Sequence, residues 1–286
     1  MGSSVRLGAA RRWPEVFTVI RIESRGAFVF ATLDAPATRN ALSDAMVSGL
    51  NDAITLAESQ RDARALVIRG AGGTFCAGGD FSRFRELMAT APPANGIDPI
   101  AHFNRGFGAL LERLHACSIA TVAVVEGAAM GGGAGLAAAC DFVLAGSTAQ
   151  FGMPEVTLGL PPAQIAPFVA ARLGHGAALR LMLTGKRINA TQALSCGLAD
   201  EVPDGDALEG RLTALLTELG RAEPAALRAT KAILQRRAAL PLSETLDFAS
   251  TAFAAALRSG TASEGLTALS AKRPASWVTS PTGANE

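Results

Sequence analysis

The stretch TVAVVEGAAMGGGAGLAAACDFVLA, residues 121–145, changes character three times. Thr121 to Val125 is apolar and β-branched and reads as a buried strand. A glycine-rich turn through Gly131-Gly132-Gly133 follows, then a helix-prone run, Ala134 to Ala139, and a second strand, Asp141 to Ala145. Parallel strands need a crossover between them, and helices supply it, so this order predicts a mainly parallel sheet covered by helices. Three successive glycines also leave main-chain N–H groups bare where a helix starts, and these can approach a ligand oxygen.

The same order extends towards the N-terminus. Phe17 to Ile22 and Ala27 to Leu33 are apolar runs separated by Glu23-Ser24-Arg25-Gly26, a hairpin turning at Gly26. Ser43 is an N-cap, followed at helical spacing by Met46, Leu50, Ile54 and Ala57. Ala65 to Ile68 is a short buried strand ending at Gly70, and a second glycine loop, Phe75-Cys-Ala-Gly-Gly-Asp80, comes after it. Pro92 to Pro99 is rich in turn formers and is expected to be a mobile surface segment. Beyond residue 203 the pattern becomes helical, with amphipathic runs over 207–219, 224–235 and 243–257. The expected organisation is an N-terminal extension over 1–14, an α/β core over 15–203 and a helical C-terminal subdomain over 204–286.

Composition narrows the function classes. The chain has 286 residues, 49% of them hydrophobic and 18% charged, so a sizeable core forms and disorder is excluded. Lys and Arg number 26 against 25 Asp and Glu, which gives no electrostatic case for nucleic acid or an acidic membrane surface. The apolar stretch 119–146 is interrupted by Glu126, Asp141 and glycines, so no membrane span is expected. The basic N-terminus lacks an apolar run, and no secretory signal is expected. The four cysteines show no CxxC spacing and read as reduced thiols of a cytoplasmic protein.

Two glycine loops, each after a strand, could place two N–H donors on one oxygen, which suits a developing oxyanion or enolate. For either loop alone, tight strand-to-helix packing is the favoured reading. Neither spells a dinucleotide fingerprint, and no P-loop lysine is present. Glu155 lies in Phe151-Gly-Met-Pro-Glu-Val-Thr-Leu-Gly-Leu160, an apolar segment in which desolvation would raise its pKa and suit it to proton transfer. His102, His115 and His175 have no metal spacing, and a Ser-His-Asp triad has no support. No metal site is expected.

Taken together, Arg39-Asn-Ala-Leu42, Phe75-Cys-Ala-Gly-Gly-Asp80, Glu126-Gly-Ala-Ala-Met-Gly-Gly-Gly133, Cys140-Asp141, Phe151-Gly-Met-Pro-Glu155 and Lys272-Arg273-Pro274 resemble the enoyl-CoA hydratase/isomerase (crotonase) superfamily over about residues 15–275. The resemblance implies a spiral of ββα units with a helical C-terminal trimerisation region. It implies that Ala77 and Gly132 N–H groups hold a thioester oxygen and that Glu155 is the acid/base. It further implies that Arg39, Ala41, Asp80, Phe81, Gly131 and Leu160 line the acyl-CoA site. Lys272 and Arg273 would reach the CoA of a neighbouring subunit in a trimer or dimer of trimers. Coenzyme A arrives as part of the substrate, and no separate cofactor is expected.

One position departs from the family. Typical hydratases carry a second glutamate three residues after the middle glycine of the triplet, and here that position is Gly135. A single carboxylate suffices to move a proton between C2 and C4, which favours an isomerase. The runs Gly131 to Leu136 and Leu158 to Pro167 are instead similar to hydratases of branched glutaconyl-type CoA esters, which also have glycine there. Hydratase is the leading reading, isomerase the alternative, and a non-catalytic acyl-CoA or RNA binder the third. In this reading Gly135 carries no chemistry, and a hydratase is expected to retain activity with alanine there.

Overall fold

A computed structural model describes residues 19–93 and 95–281. The expected N-terminal extension, and Phe17 at the head of the first expected strand, lie outside the described residues. The chain begins with an antiparallel hairpin, β1 (Ile20–Arg25) on β2 (Phe28–Leu33), with Arg25 opposite Phe28 and Gly26 at φ 57°. β1 thus runs through Glu23, Ser24 and Arg25, which the sequence pattern assigns to the turn. It is the outer strand of its sheet, and the side chains of Arg21, Glu23 and Arg25 pair with one another at the surface.

The Ser43 hydroxyl accepts the Met46 N–H at 3.2 Å and caps α1 (Asp44–Ser59). Met46, Leu50, Ile54 and Ala57 are all buried, as their spacing predicts. β3 (Ala65–Gly70) lies parallel to β2. Two helices, α2 (Phe81–Met88) and α3 (Pro99–His115), intervene before β4 (Ala120–Val125), which is parallel to β3. Next come β5 (Ala128–Met130), α4 (Gly132–Ala138) and β6 (Phe142–Ala145). β6 completes a five-stranded sheet of order β1-β2-β3-β4-β6.

β7 (Gln150–Gly152), α5 (Ala166–Leu173), α6 (His175–Thr184) and β8 (Arg187–Asn189) follow, and β5, β7 and β8 form a smaller sheet. After α7 (Ala190–Cys196) the chain is helical: α8 (Leu208–Gly220), α9 (Pro224–Ala239), α10 (Leu242–Arg258) and α11 (Thr261–Ser270). The first three of these agree with the expected amphipathic runs.

A parallel sheet must be covered on both faces, and its strands alternate accordingly. Val29, Ala31, Leu66, Ile68, Ala123 and Val125 pack in one cluster with Leu50 and Ile54 of α1, Leu111 of α3 and Leu136 of α4. Phe28, Phe30, Val67, Val122 and Val124 face the other way, onto Leu208, Leu212, Leu215 and Leu216 of α8. α10 and α11 behave differently: Leu242, Leu246, Phe253, Leu257, Leu266 and Leu269 are all exposed. Among the described residues no helix is long and apolar enough to cross a membrane, and all four cysteines are free.

Two buried polar side chains join distant segments. Arg64 donates from Nε to the Ala222 carbonyl at 2.7 Å, from Nη2 to that of Trp277 at 2.9 Å, and from Nη1 to that of Asp62. Asn40 is fully buried at φ 58°, a left-handed conformation that asparagine tolerates. Its Oδ1 accepts the Ala35 N–H at 2.9 Å, and Nδ2 donates to the carbonyls of Ala71 (3.0 Å) and Thr74 (2.7 Å). Asn40→Ala strips partners from three main-chain groups at once. It is expected to cost about 2–3 kcal/mol, read as a lower denaturant midpoint at constant slope. An unchanged midpoint would show that the clamp is dispensable.

Candidate active site

The two glycine loops meet. Phe75 N–H donates to the Glu126 carbonyl, Cys76 N–H to that of Ala128, and Met130 N–H back to that of Cys76, each at 2.9 Å. The loop after β3 thereby becomes a partner for β5. Contact is so close that side chains cannot enter: a Cβ on Gly133 would lie 2.4 Å from the Cys76 carbonyl oxygen, and one on Gly78 2.8 Å from that of Met130. Gly78 also has φ 102°, which side-chain-bearing residues rarely adopt.

The segment Arg39–Leu42 runs along the other side of the same loop. Ala77 N–H donates to the Arg39 carbonyl at 3.0 Å, and Leu42 N–H to that of Gly78 at 2.8 Å. Ala77 is therefore not the free donor that the sequence reading assigns to it, because its hydrogen is committed to Arg39. Gly79 N–H, two residues on, has no acceptor among the described residues, nor has Gly132 N–H at the start of α4. Leu42 joins these two positions. Its backbone bridges to Gly79, and its Cδ1 would lie 2.6 Å from a Cβ on Gly132.

Glu155 sits in a short 3-10 turn, Pro154–Leu158, whose Glu155 carbonyl accepts the Leu160 N–H at 3.0 Å. Its carboxylate lies against the bare Cα of Gly131, where an added Cβ would come within 2.8 Å of Oε1. Oε2 is buried with no hydrogen-bond partner among the described residues. Burial pushes this carboxyl above the ordinary carboxylate range, as its apolar sequence context predicts. The neighbouring Cys76 offers no competing nucleophile, since complete burial pushes its thiol up to about 12.

Aromatic side chains form a wall beside these groups. Phe107 of α3 would touch a Cβ on Gly132 at 3.3 Å, and the Phe84 ring one on Gly79 at 2.6 Å. Phe84 in turn stands edge-on to Phe81 and Phe103, at 5.9 and 6.0 Å between ring centres. Phe81 and Leu160 stand at the surface, 55% and 45% exposed.

Other expected site residues are occupied elsewhere. Asp80 caps α2, its Oδ1 accepting the Ser82 N–H at 2.9 Å and the Ser82 hydroxyl at 2.5 Å. Arg39 is exposed at φ 53° and contributes its carbonyl to Ala77, with partly buried Ala41 beside it. Arg273 holds Glu264 in a two-pronged pair at 2.8 and 2.9 Å, and Lys272 precedes it at φ 51°. Neither meets Glu155 within one chain among the described residues. His115 packs edge-on against Phe168, 5.8 Å between ring centres.

A family model described as enoyl-CoA hydratase/isomerase matches residues 23–280. The chain belongs to the enoyl-CoA hydratase/isomerase family. A crystal structure of an enoyl-CoA hydratase/isomerase from Marinobacter aquaeolei is 39% identical with a TM-score of 0.88, covering 91% of this chain and 99% of that one. AtuE of Pseudomonas aeruginosa is 42% identical with a TM-score of 0.86, over 91% and 100% of the two chains. The 2,3-dehydroadipyl-CoA hydratase of Escherichia coli is 34% identical over 206 residues, 72% of this chain and 77% of that protein.

Within this family framework Gly135 has a steric role that its sequence does not announce. A Cβ there would lie 2.2 Å from Ile165 Cγ2 and 2.6 Å from Ile165 Cβ, so Ile165 fills the space that a side chain at 135 would need. Alanine at 135 is therefore costly to packing, whether or not the position carries chemistry. Gly135→Ala is expected to lose about 1–3 kcal/mol, the usual cost of overpacking a core. A melting temperature equal to that of the unmodified protein would contradict the contact.

Proposed function

We propose that the protein adds water across the 2,3 double bond of an enoyl-CoA thioester, with Glu155 as the only carboxylate acid and base. The carrying observation is the buried, unpartnered Glu155 Oε2. It adjoins Gly131, and the next residue, Gly132, carries one of the two uncommitted N–H groups. Gly79 and Gly132 N–H donate to the thioester oxygen, which gains charge as the enolate forms; each such donor is worth about 3–4 kcal/mol in the transition state. Water's oxygen bonds to C3 and its proton passes to Glu155, while the C2=C3 pair becomes the enolate. Glu155 then returns the proton to C2. Double-bond isomerisation is the second reading, since a lone carboxylate can also carry a proton between C2 and C4.

The aromatic wall suits an apolar, branched acyl chain. A substrate carboxylate at the far end, as the glutaconyl resemblance implies, would meet Arg83. Its guanidinium lies 5.9 Å from the Phe103 ring; Nε is buried with no hydrogen-bond partner among the described residues but lies 3.6 Å from Asp44 Oδ2, and Nη1 donates to Glu86 at 3.0 Å, so a substrate carboxylate would compete with both. Support for an acidic acyl group comes also from the relative named a 2,3-dehydroadipyl-CoA hydratase. Arg39 and Lys272 remain the cations proposed for the CoA phosphates, with Lys272 acting across a subunit boundary.

Incubating straight and branched enoyl-CoA esters in deuterated water and weighing the products separates the readings. Gain of one water with one deuterium at C2 is expected, and migration of the double bond without added water would replace hydratase by isomerase. Glu155→Gln should lower turnover by about 10²–10⁴, and a near-normal rate would remove Glu155 from the mechanism. The folded protein holds the Glu155 pKa above its unfolded value. The stabilisation linked to that proton is therefore present below the unfolded pKa and lost as pH rises through the folded one. Glu155→Gln should accordingly melt no lower than the unmodified protein at pH 7.

The exposed leucines and Phe253 of α10 and α11 form the face proposed for self-association into a trimer or dimer of trimers. Light scattering at micromolar concentration should give at least three times the mass of one chain. A monomer mass would refute this assembly.

A further inference from the structure

With one carboxylate doing the proton transfers, something else must hold the water at C3 with its lone pair aimed. Gly131 and Gly135 stand one turn apart on the same face of α4, joined by the Gly135 N–H to Gly131 carbonyl bond at 3.0 Å. The Glu155 carboxylate covers the first and Ile165 the second. The residue preceding Ile165 is Gln164, half-buried, whose Nε2 donates to Asn104 Oδ1 at 2.8 Å. Asn104 shares a face of α3 with Phe107 and Gly108, and Phe107 is the ring that packs on Gly132. This amide pair therefore borders the Glu155 cluster.

Gly108 makes room for it. A Cβ on Gly108 would lie 1.9 Å from Gln164 Oε1 and 2.7 Å from its Cδ, with Arg105 Nη1 next at 3.3 Å. Glycine inside a helix costs about 1 kcal/mol against alanine, and here it leaves the space that the Gln164 carboxamide fills. With Nε2 committed to Asn104, Oε1 has no donor among the described residues.

We infer that Gln164, anchored by Asn104 and seated on Gly108, is a positioning residue that accepts a hydrogen bond from the attacking water and turns its other hydrogen to Glu155. The water's second hydrogen stays on oxygen and becomes the hydroxyl hydrogen of the product, so Gln164 neither gains nor loses a proton. The inference rests on the hydratase reading.

Gly108→Ala tests it with little risk to the fold, because the added methyl meets only the ends of flexible side chains and alanine favours the helix. Gln164→Leu removes the acceptor while keeping the side chain's size. Both variants should melt within a few degrees of the unmodified protein. Their kcat for hydration should fall roughly 10- to 100-fold with little change in KM, as expected for a misplaced reactant. Exchange of the C2 hydrogen of a saturated acyl-CoA in deuterated water needs the N–H donors and Glu155 but no nucleophilic water, and it should continue at the unmodified rate. Unchanged hydration in both variants would overturn the role of Gln164 and leave the hydratase reading standing. A fall in exchange parallel to hydration would reduce Gln164 to a structural part. If the unmodified protein hydrates no enoyl-CoA at all, both readings fall together.

Discussion

The site depends on the pairing of Cys76 with the short strand Ala128–Met130. Cys76 donates to Ala128 and accepts from Met130, so two loops from separate crossovers are locked at hydrogen-bonding distance. Backbones this close leave no volume for Cβ atoms, which is why Gly78 and Gly133 are glycines before any question of chemistry arises. The same closeness brings both loops against Leu42, with Gly79 N–H and Gly132 N–H left over. Packing and donor geometry are one constraint here: the closeness that excludes Cβ atoms is also what leaves these two N–H groups bare.

Against that rigid frame, Glu155 is an energetic liability. A carboxylate without partners in an apolar setting disfavours its own ionised state, and the fold offsets this with well-satisfied polar groups elsewhere. Asp141 is one. It accepts from the Thr121 N–H and hydroxyl at 2.8 and 3.0 Å and pairs with Lys231 of α9 at 2.5 Å, fixing β4, the approach to β6 and a C-terminal helix together. The Cys140-Asp141 motif thus serves architecture, while the FGMPE segment holds the carboxylate proposed for the reaction. Nearby motifs in one chain thus differ: the Asp141 carboxylate is paired, while a buried oxygen of Glu155 is not.

How much of this was legible in the sequence varied with the range of the forces involved. The cap at Ser43, the near-continuous burial of β2 to β4 and the helical faces of α8 follow from local pattern, and the structure agrees with them. Glu155 was legible because its apolar neighbours in sequence are also part of its surroundings in space. α3 was missed even though Asp98 and Pro99 form a helix start and Phe103, Phe107, Leu110, Leu111 and Leu114 recur at helical spacing; Gly106 and Gly108 masked the pattern. α11 went unread as well. The shift from Ala77 to Gly79 had no local signal, because which amide faces outward depends on Arg39 lying alongside. Lys272 and Arg273 lie beyond the reach of one chain's geometry.

Arg64 carries a consequence for how the molecule is made. Its guanidinium is buried and its acceptors are carbonyls at Asp62, Ala222 and Trp277, the last more than two hundred residues downstream. Burial is the largest cause lowering its pKa, and these three carbonyls replace water around the cation. During synthesis the five strands are complete long before the tail that seals them. A chain that stops before Trp277 therefore has every strand and both apolar clusters, and lacks one of the three carbonyls that hold the Arg64 guanidinium.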